Sequence, residues 1–264
     1  MWEREFVEVC SVAVRQLGLV TGGQLKRLGT TAERAWVEAG LLAELDWSVF
    51  QIVGSPTGPM RAIPYAAWLA LAPEQFAWER GRDMVISHGS AARLHGIGSA
   101  SAPVVTITST GQLPALRAIR VMAAELSADQ RTEVDGIPVT TPVRTIHDLV
   151  ADGIDHDELR DVIRDAVQRD LIDLLDLHLK IRTVAADRGI PADGPSFVAS
   201  LVGDQDVDEL SVRNQRALAE LVLPSEVAAL TEALRRTFQQ VPTQAGSDIL
   251  RDLAAEAIAR TSAR

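Results

Sequence analysis

Apolar residues recur every three or four positions from the start of the chain. Trp2, Phe6, Val9, Cys10, Ala13 and Leu17 share one face of a helix over 2–17, with Glu3, Arg4, Glu8 and Arg15 mostly off it. Gly18 stops that helix. Thr21-Gly-Gly-Gln24 then reads as a capping box, in which the two side chains satisfy free amides at a helix start. It opens a helix over about 22–28, which buries Leu25 and Leu28 and ends at Gly29. Thr30-Thr-Ala-Glu33 reads as a second box, opening a helix over about 31–39 that Gly40 closes. Leu41–Leu45 and Val49–Val53 flank the polar break Asp46-Trp47-Ser48, which predicts a hairpin.

Two short helices around a glycine turn form a helix-turn-helix unit, and a following hairpin makes it a winged helix. In a DNA-binding protein, the helix over 31–39 would enter the major groove. Lys26, Arg27, Thr31 and Arg34 are the candidate DNA contacts. A three-helix protein-contact module fits the same pattern.

Further on, a helix is predicted to start near Pro64, with Pro73 ending or kinking it and a second stretch running to Arg80. The string ISHGSAARLHG (86–96) suits a short helix capped by Ser87 or Ser90 and closed by Gly96. Val104–Thr108 alternates and is rich in β-branched residues, hence a strand, and Ile119–Met122 is a second candidate. Asp135-Gly136 marks a hairpin turn. TTPVRTIHDLV opens a helix with Thr141 at the cap, Pro142 at the first position and an Arg144–Asp148 pair one turn apart. Residues 156–184 read as one helix whose stripe is Leu159, Val162, Ile163, Ala166 and Val167. A loop follows at 189–195, then an apolar segment at 197–202. Helix-period segments cover 209–223, 226–238 and 247–260, and no internal repeat or low-complexity tract is visible. The expected class is α+β: an N-terminal winged helix-turn-helix (1–60), a mixed α/β domain (61–200) and a helical C-terminal region (201–264).

Charge changes this picture. The chain carries 36 acidic against 26 Lys and Arg residues, a net charge of −10, whereas affinity for phosphate backbones comes from Lys and Arg. The winged-helix segment shares in this, with Glu33, Glu38, Glu44 and Asp46 where a DNA-gripping surface wants basic groups. The densest cluster runs from Asp148 to Asp176. It reads as a solvated helix face or as a docking surface for a basic partner, because complementary potentials steer association. Asp157, Asp161, Asp165 and Asp170 are the candidate contacts of that surface.

Composition excludes several classes. One cysteine, Cys10, rules out an intramolecular disulfide and multi-cysteine metal sites. The charged start MWEREFVE does not fit a signal peptide. The uncharged stretch Leu94–Leu116 holds too much Gly, Pro, Ser and Thr to be a membrane helix. A cytoplasmic protein with no membrane partner is expected. S-H-G-S at 87–90 lacks the strained elbow of a serine hydrolase. His88 and His95 share a helix face but have no third ligand nearby, so neither metal nor cofactor is expected.

The order of these features resembles the AbiEi family of bacterial antitoxins. The resemblance covers roughly residues 15–200 and is carried by GLVTGGQLKRLG, ISHGSAARLHG and VDGIPVTTPVRTIHDLV. It implies a non-enzymatic antitoxin with a nucleotidyltransferase toxin as partner, the toxin being neutralised by the part beyond the winged helix. It also implies a repressor that binds operator DNA in its own promoter through the N-terminal domain. A winged-helix regulator without a toxin partner is the alternative. Two departures stand out. The recognition helix and wing are acidic where the family places basic residues. Related chains with the same middle motif continue into a nuclease, but no E-x-K or D-x-K follows residue 150, which argues against metal-assisted cleavage here.

Overall fold

A computed structural model describes residues 2–99, 103–203, 207–238 and 244–262. The chain divides into two compact units, Met1–Gly96 with Ala100–Thr141, and Ile97–Ser99 with Pro142–Arg264. It is an α+β protein: the strands lie in the first unit and the second is helical.

The N-terminal unit opens with α1 (Trp2–Val14), β1 (Leu19–Thr21), α2 (Gly22–Arg27), α3 (Glu33–Glu38), β2 (Leu42–Glu44) and β3 (Val49–Ile52). Both β1 and β2 pair antiparallel with β3, giving the order β1–β3–β2. Val9, Val20, Leu25, Trp36, Leu42 and Phe50 form one core under this sheet. The capping box at Thr21 forms as expected, with Gln24 N donating to Thr21 Oγ1 at 3.0 Å and Thr21 N to Gln24 Oε1 at 3.1 Å. The second box does not form. Thr30 Oγ1 instead accepts from Ala32 N (3.3 Å) and donates to Glu5 (3.3 Å), so α3 starts only at Glu33.

Next come α4 (Pro59–Ala70), β4 (Val85–Ile86), α5 (His88–His95), β5 (Val105–Ser109), β6 (Ile119–Ala123), β7 (Arg131–Val134) and β8 (Ile137–Thr140). The second sheet runs β6–β5–β4–β8–β7, with β4 parallel to β8 and β5 parallel to β6. The Asp135-Gly136 turn joins β7 and β8 with both residues at positive φ (53° and 79°), the geometry of a type I′ turn. Helix α4 begins five residues before the expected start. Pro59 takes the first position, which its fixed φ suits, and Pro64 lies inside. There it deprives only the carbonyl of Met60, an exposed residue of the first turn. After Pro73 the chain forms a single 3₁₀ turn, Ala77–Glu79, rather than a second helical stretch. One core binds α4 to both sheets: Leu19 and Val49 from the first, Ile86, Ile107, Ile137 and Val139 from the second, and Ala62–Leu71 between them.

The C-terminal unit holds α6 (Pro142–Asp152), α7 (His156–Gln168), α8 (Leu174–Ala185), α9 (Gly194–Leu201), α10 (Val212–Val222), α11 (Pro224–Thr237) and α12 (Gln244–Ser262). The apolar stripe expected on α7 is fully buried. The single helix expected over 156–184 is broken, because Asp170 turns to φ +53° and Asp173 then caps a new helix by accepting from Asp176 N at 2.9 Å. Helix α9 approaches α10 so closely that a Cβ on Gly194 would stand 2.3 Å from the Leu221 carbonyl oxygen, so only glycine fits. Among the described residues, no helix is long and apolar enough to cross a membrane.

Candidate functional site

The four residues expected to meet DNA have different surroundings. Lys26 and Thr31 are exposed. Arg34 projects from α3 with 92% of its side chain exposed, touching Glu38 at 3.2 Å. Arg27 is committed elsewhere. Its two amino groups meet Glu79 at 2.5 and 2.6 Å, one also donates to the Glu74 carbonyl at 3.1 Å, and the guanidinium lies 4.4 Å from the Phe76 ring centre. The hydrogen bond to Glu79 raises the Arg27 pKa, and the same bond lowers that of Glu79. Arg27 therefore fastens the 73–79 turn to α2. The turn sits so close that a Cβ on Gly23 would lie 2.5 Å from the Pro73 carbonyl oxygen.

The β2–β3 hairpin has an unexpected companion. Trp47 and Ser48 take positive φ (61° and 54°) at its tip. Trp47 Nε1 donates to the Arg117 carbonyl at 2.7 Å, and Arg117 Nη2 reaches both Asp46 oxygens at 2.6 Å. The acidic residue that argued against phosphate binding is thus neutralised by an arginine 71 residues away.

The two motif strings of the middle segment lie side by side. ISHGSAARLHG is β4 with α5, and DGIPVT is the turn with β8, the parallel neighbour of β4. His95 Nε2 donates to the Thr140 carbonyl at 2.7 Å across this pair. Ser87 holds the N-cap position of α5, but its side chain makes no capping hydrogen bond. Thr108 Oγ1 donates to Ser87 Oγ (2.8 Å), which also shares a hydrogen bond with His88 Nδ1 (2.9 Å), and Ser90 Oγ accepts from Thr106 N (3.1 Å). Ser87 is fully buried, so its hydroxyl is a structural link between sheet and helix. Among the described residues, no group of His, Cys, Asp and Glu could hold a metal. Burial pushes the Cys10 thiol up, away from the reactive thiolate.

Most of the acidic cluster has work inside the fold. Asp148 is buried against Arg144 at 2.7 Å, Asp155 and Asp173 cap α7 and α8, and Asp176 meets Lys180 at 3.1 Å. Of the four expected partner contacts, Asp157 is exposed and Asp161 lies 3.5 Å from Arg164. Asp165 accepts from Gly98 N at 2.7 Å. Asp170 accepts from Ser211 Oγ (2.6 Å), Arg213 (2.8 Å) and Asn214 Nδ2 (3.2 Å), tying the α7–α8 break to α10. Those partners were not visible in the sequence, being more than 40 residues downstream.

The Ser211 hydrogen bond, followed by Arg213, holds the Asp170 carboxyl below its ordinary pKa. A depressed carboxylate stabilises the fold above its unfolded pKa of about 3.9, and this is lost as pH falls through the folded value. Asp170→Asn is expected to cost about 1 kcal/mol at pH 7, the site being half exposed. The gap from wild type should begin to narrow below about pH 4 and close only below the folded value. Urea unfolding at pH 7 and pH 3.5 measures both, and a gap independent of pH would contradict the ionic role.

Neither protein-family models nor curated proteins gave a match to this chain.

Proposed function

We propose that the protein is a non-enzymatic winged-helix regulator that binds DNA in its own promoter and also acts as a cytoplasmic antitoxin. Connectivity is the observation that carries the DNA reading. The order α1–β1–α2–α3–β2–β3, with β3 between β1 and β2, supports a winged helix whose exposed Arg34 on α3 and Thr31 just before it would meet a major groove. The non-enzymatic part is supported by the complete burial of Ser87, whose hydroxyl, although hydrogen-bonded to His88, is closed off from a substrate. A mobility shift with a duplex from the region upstream of its own reading frame, at moderate salt, is the test. Wild-type protein is expected to shift it and Arg34→Ala to shift it less. No shift, with or without a toxin partner, would remove the regulator.

The antitoxin reading rests on the family resemblance. The side-by-side placement of its two motif strings, joined through His95 and Thr140, supports them as one unit. The partner would be a nucleotidyltransferase toxin, whose site needs basic groups to hold phosphates, and acidic side chains could compete for them. With Asp165 and Asp170 engaged, Asp157 and Asp161 are the contacts that remain for this role. Asp157→Lys/Asp161→Lys should therefore abolish co-elution with a nucleotidyltransferase encoded by the neighbouring gene and abolish growth rescue. Retained neutralisation would sink the acidic contact. A neighbouring gene of another kind would leave the regulator without a toxin.

A further inference from the structure

The wing is acidic by sequence, with Glu44 and Asp46 at its end, yet the structure supplies it with a cation from elsewhere. Leu113 and Leu116 of the β5–β6 loop pack against the same core as Leu45 and Trp47 of the wing. This places Arg117 on the hairpin tip. Its carbonyl holds Trp47 Nε1 at 2.7 Å, and its Nη2 grips both oxygens of Asp46 at 2.6 Å. The arginine side chain is nevertheless 77% exposed. A guanidinium has donors on three nitrogens, and Asp46 uses one of them. Nη1 and Nε make no hydrogen bond with any described residue and are free to meet a second acceptor. An exposed ion pair by itself adds little stability, so the pair is not needed to hold the wing, which Trp47 and the leucines already fix.

We propose that Arg117 is the wing's phosphate-binding group, so that the functional wing is a composite of the β2–β3 hairpin and the β5–β6 loop and its ligand is the sugar–phosphate backbone of duplex DNA. Asp46 acts as a positioning residue. It holds the guanidinium through Nη2 and leaves Nη1 and Nε to donate singly to phosphate oxygens, as charge-assisted hydrogen bonds. Contact to phosphate carries no base information, so Arg117 adds affinity and salt dependence rather than sequence choice. The inference rests on the DNA reading above.

Fluorescence anisotropy with a labelled duplex from the region upstream of the reading frame tests it, over about 50 to 200 mM salt. Arg117→Ala should weaken binding about 5- to 10-fold and reduce the salt slope by about 1, as expected for one lost phosphate contact. Asp46→Asn removes a negative charge, keeps the guanidinium, and should tighten binding about 2-fold. Both variants break the same clasp, so a merely structural role predicts changes of the same sign, and opposite signs support the composite wing. Changes of the same sign, or an unchanged Arg117→Ala alongside an Arg34→Ala that binds more weakly, overturn it and leave the DNA reading standing. Wild-type protein that binds no duplex overturns both. Thermal melts of the two variants should stay within about 2 °C of wild type.

Discussion

Trp68→Ala is expected to cost the N-terminal unit about 3–5 kcal/mol, a large part of the total for a domain of ordinary stability. Trp68 lies in α4, the helix whose core is shared by both sheets, and its ring is almost wholly buried. One face stacks on Tyr65, with centroids 5.7 Å apart and planes 9° from parallel. The Arg80 guanidinium lies 4.5 Å from the ring centre. That guanidinium donates to the carbonyls of Trp68, of Leu69 (2.6 Å) and of Ala72 (2.5 Å), and so closes the C-terminus of α4. Burial pulls the Arg80 pKa down to about 10, which leaves it charged at neutral pH. Removing the indole therefore opens a cavity and takes away the surface on which the helix-closing arginine rests. Trp68→Phe separates the contributions. It keeps most of the ring but leaves the Met84 carbonyl, now bonded by Nε1 at 2.9 Å, without a donor, and should cost about 1–2 kcal/mol. Urea unfolding followed by circular dichroism reads both variants. A loss below about 1 kcal/mol for Trp68→Ala would mean that α4 does not hold this core together.

What the sequence showed and what it hid follow from range. The Thr21–Gln24 box forms because both partners lie within one turn. The Asp-Gly turn and the stripe of α7 were legible for the same reason, since each depends on neighbours or on a helical period. The second box had the right letters and failed, because Thr30 found Glu5 and the Ala32 amide instead. Strand β4 is two residues long, too short for any alternation to show. The candidate sites suffered most. Arg27 and Asp170 looked like free charges because Glu79 and Arg213 lie 52 and 43 residues away. Arg117 carried the opposite signal. It only ended the long uncharged stretch, and nothing local tied it to Asp46. Charge counted along the chain thus misjudged both surfaces: most carboxylates of the acidic cluster are capping or paired within the fold, though only Asp148 of them is buried, and the β2–β3 hairpin is less acidic than its own residues.

Gln24→Leu is expected to destabilise the same unit by about 2–3 kcal/mol, although leucine is similar in size and more apolar. Gln16 and Gln24 are both fully buried. Their amides pair reciprocally, Gln16 Nε2 to Gln24 Oε1 at 2.9 Å and Gln24 Nε2 to Gln16 Oε1 at 3.1 Å. Gln24 also holds the Thr21 amide (3.1 Å) and the Gln75 carbonyl (2.7 Å), while Gln16 holds the Leu19 carbonyl (3.1 Å) and the Ala77 amide (2.8 Å). The pair thus joins the end of α1 and the start of α2 to the 73–77 turn, the same turn that occupies Arg27. Leucine at position 24 leaves a buried amide, a buried carbonyl and half of Gln16 without partners, and unmet buried groups cost more than made ones gain. The second substitution has less left to break, because part of Gln16's bonding is already lost. Gln16→Leu/Gln24→Leu should therefore cost less than the two single variants together, with a coupling of about 1–2 kcal/mol. Additive losses would show that the glutamines act separately. With coupling, the position of α2 beneath the proposed recognition helix depends on a polar lock closed from outside the first sixty residues. A fragment that ends before the 73–77 turn should then bind DNA more weakly than the full chain carrying Arg117→Ala, although both would keep every other residue of the proposed DNA-facing surface.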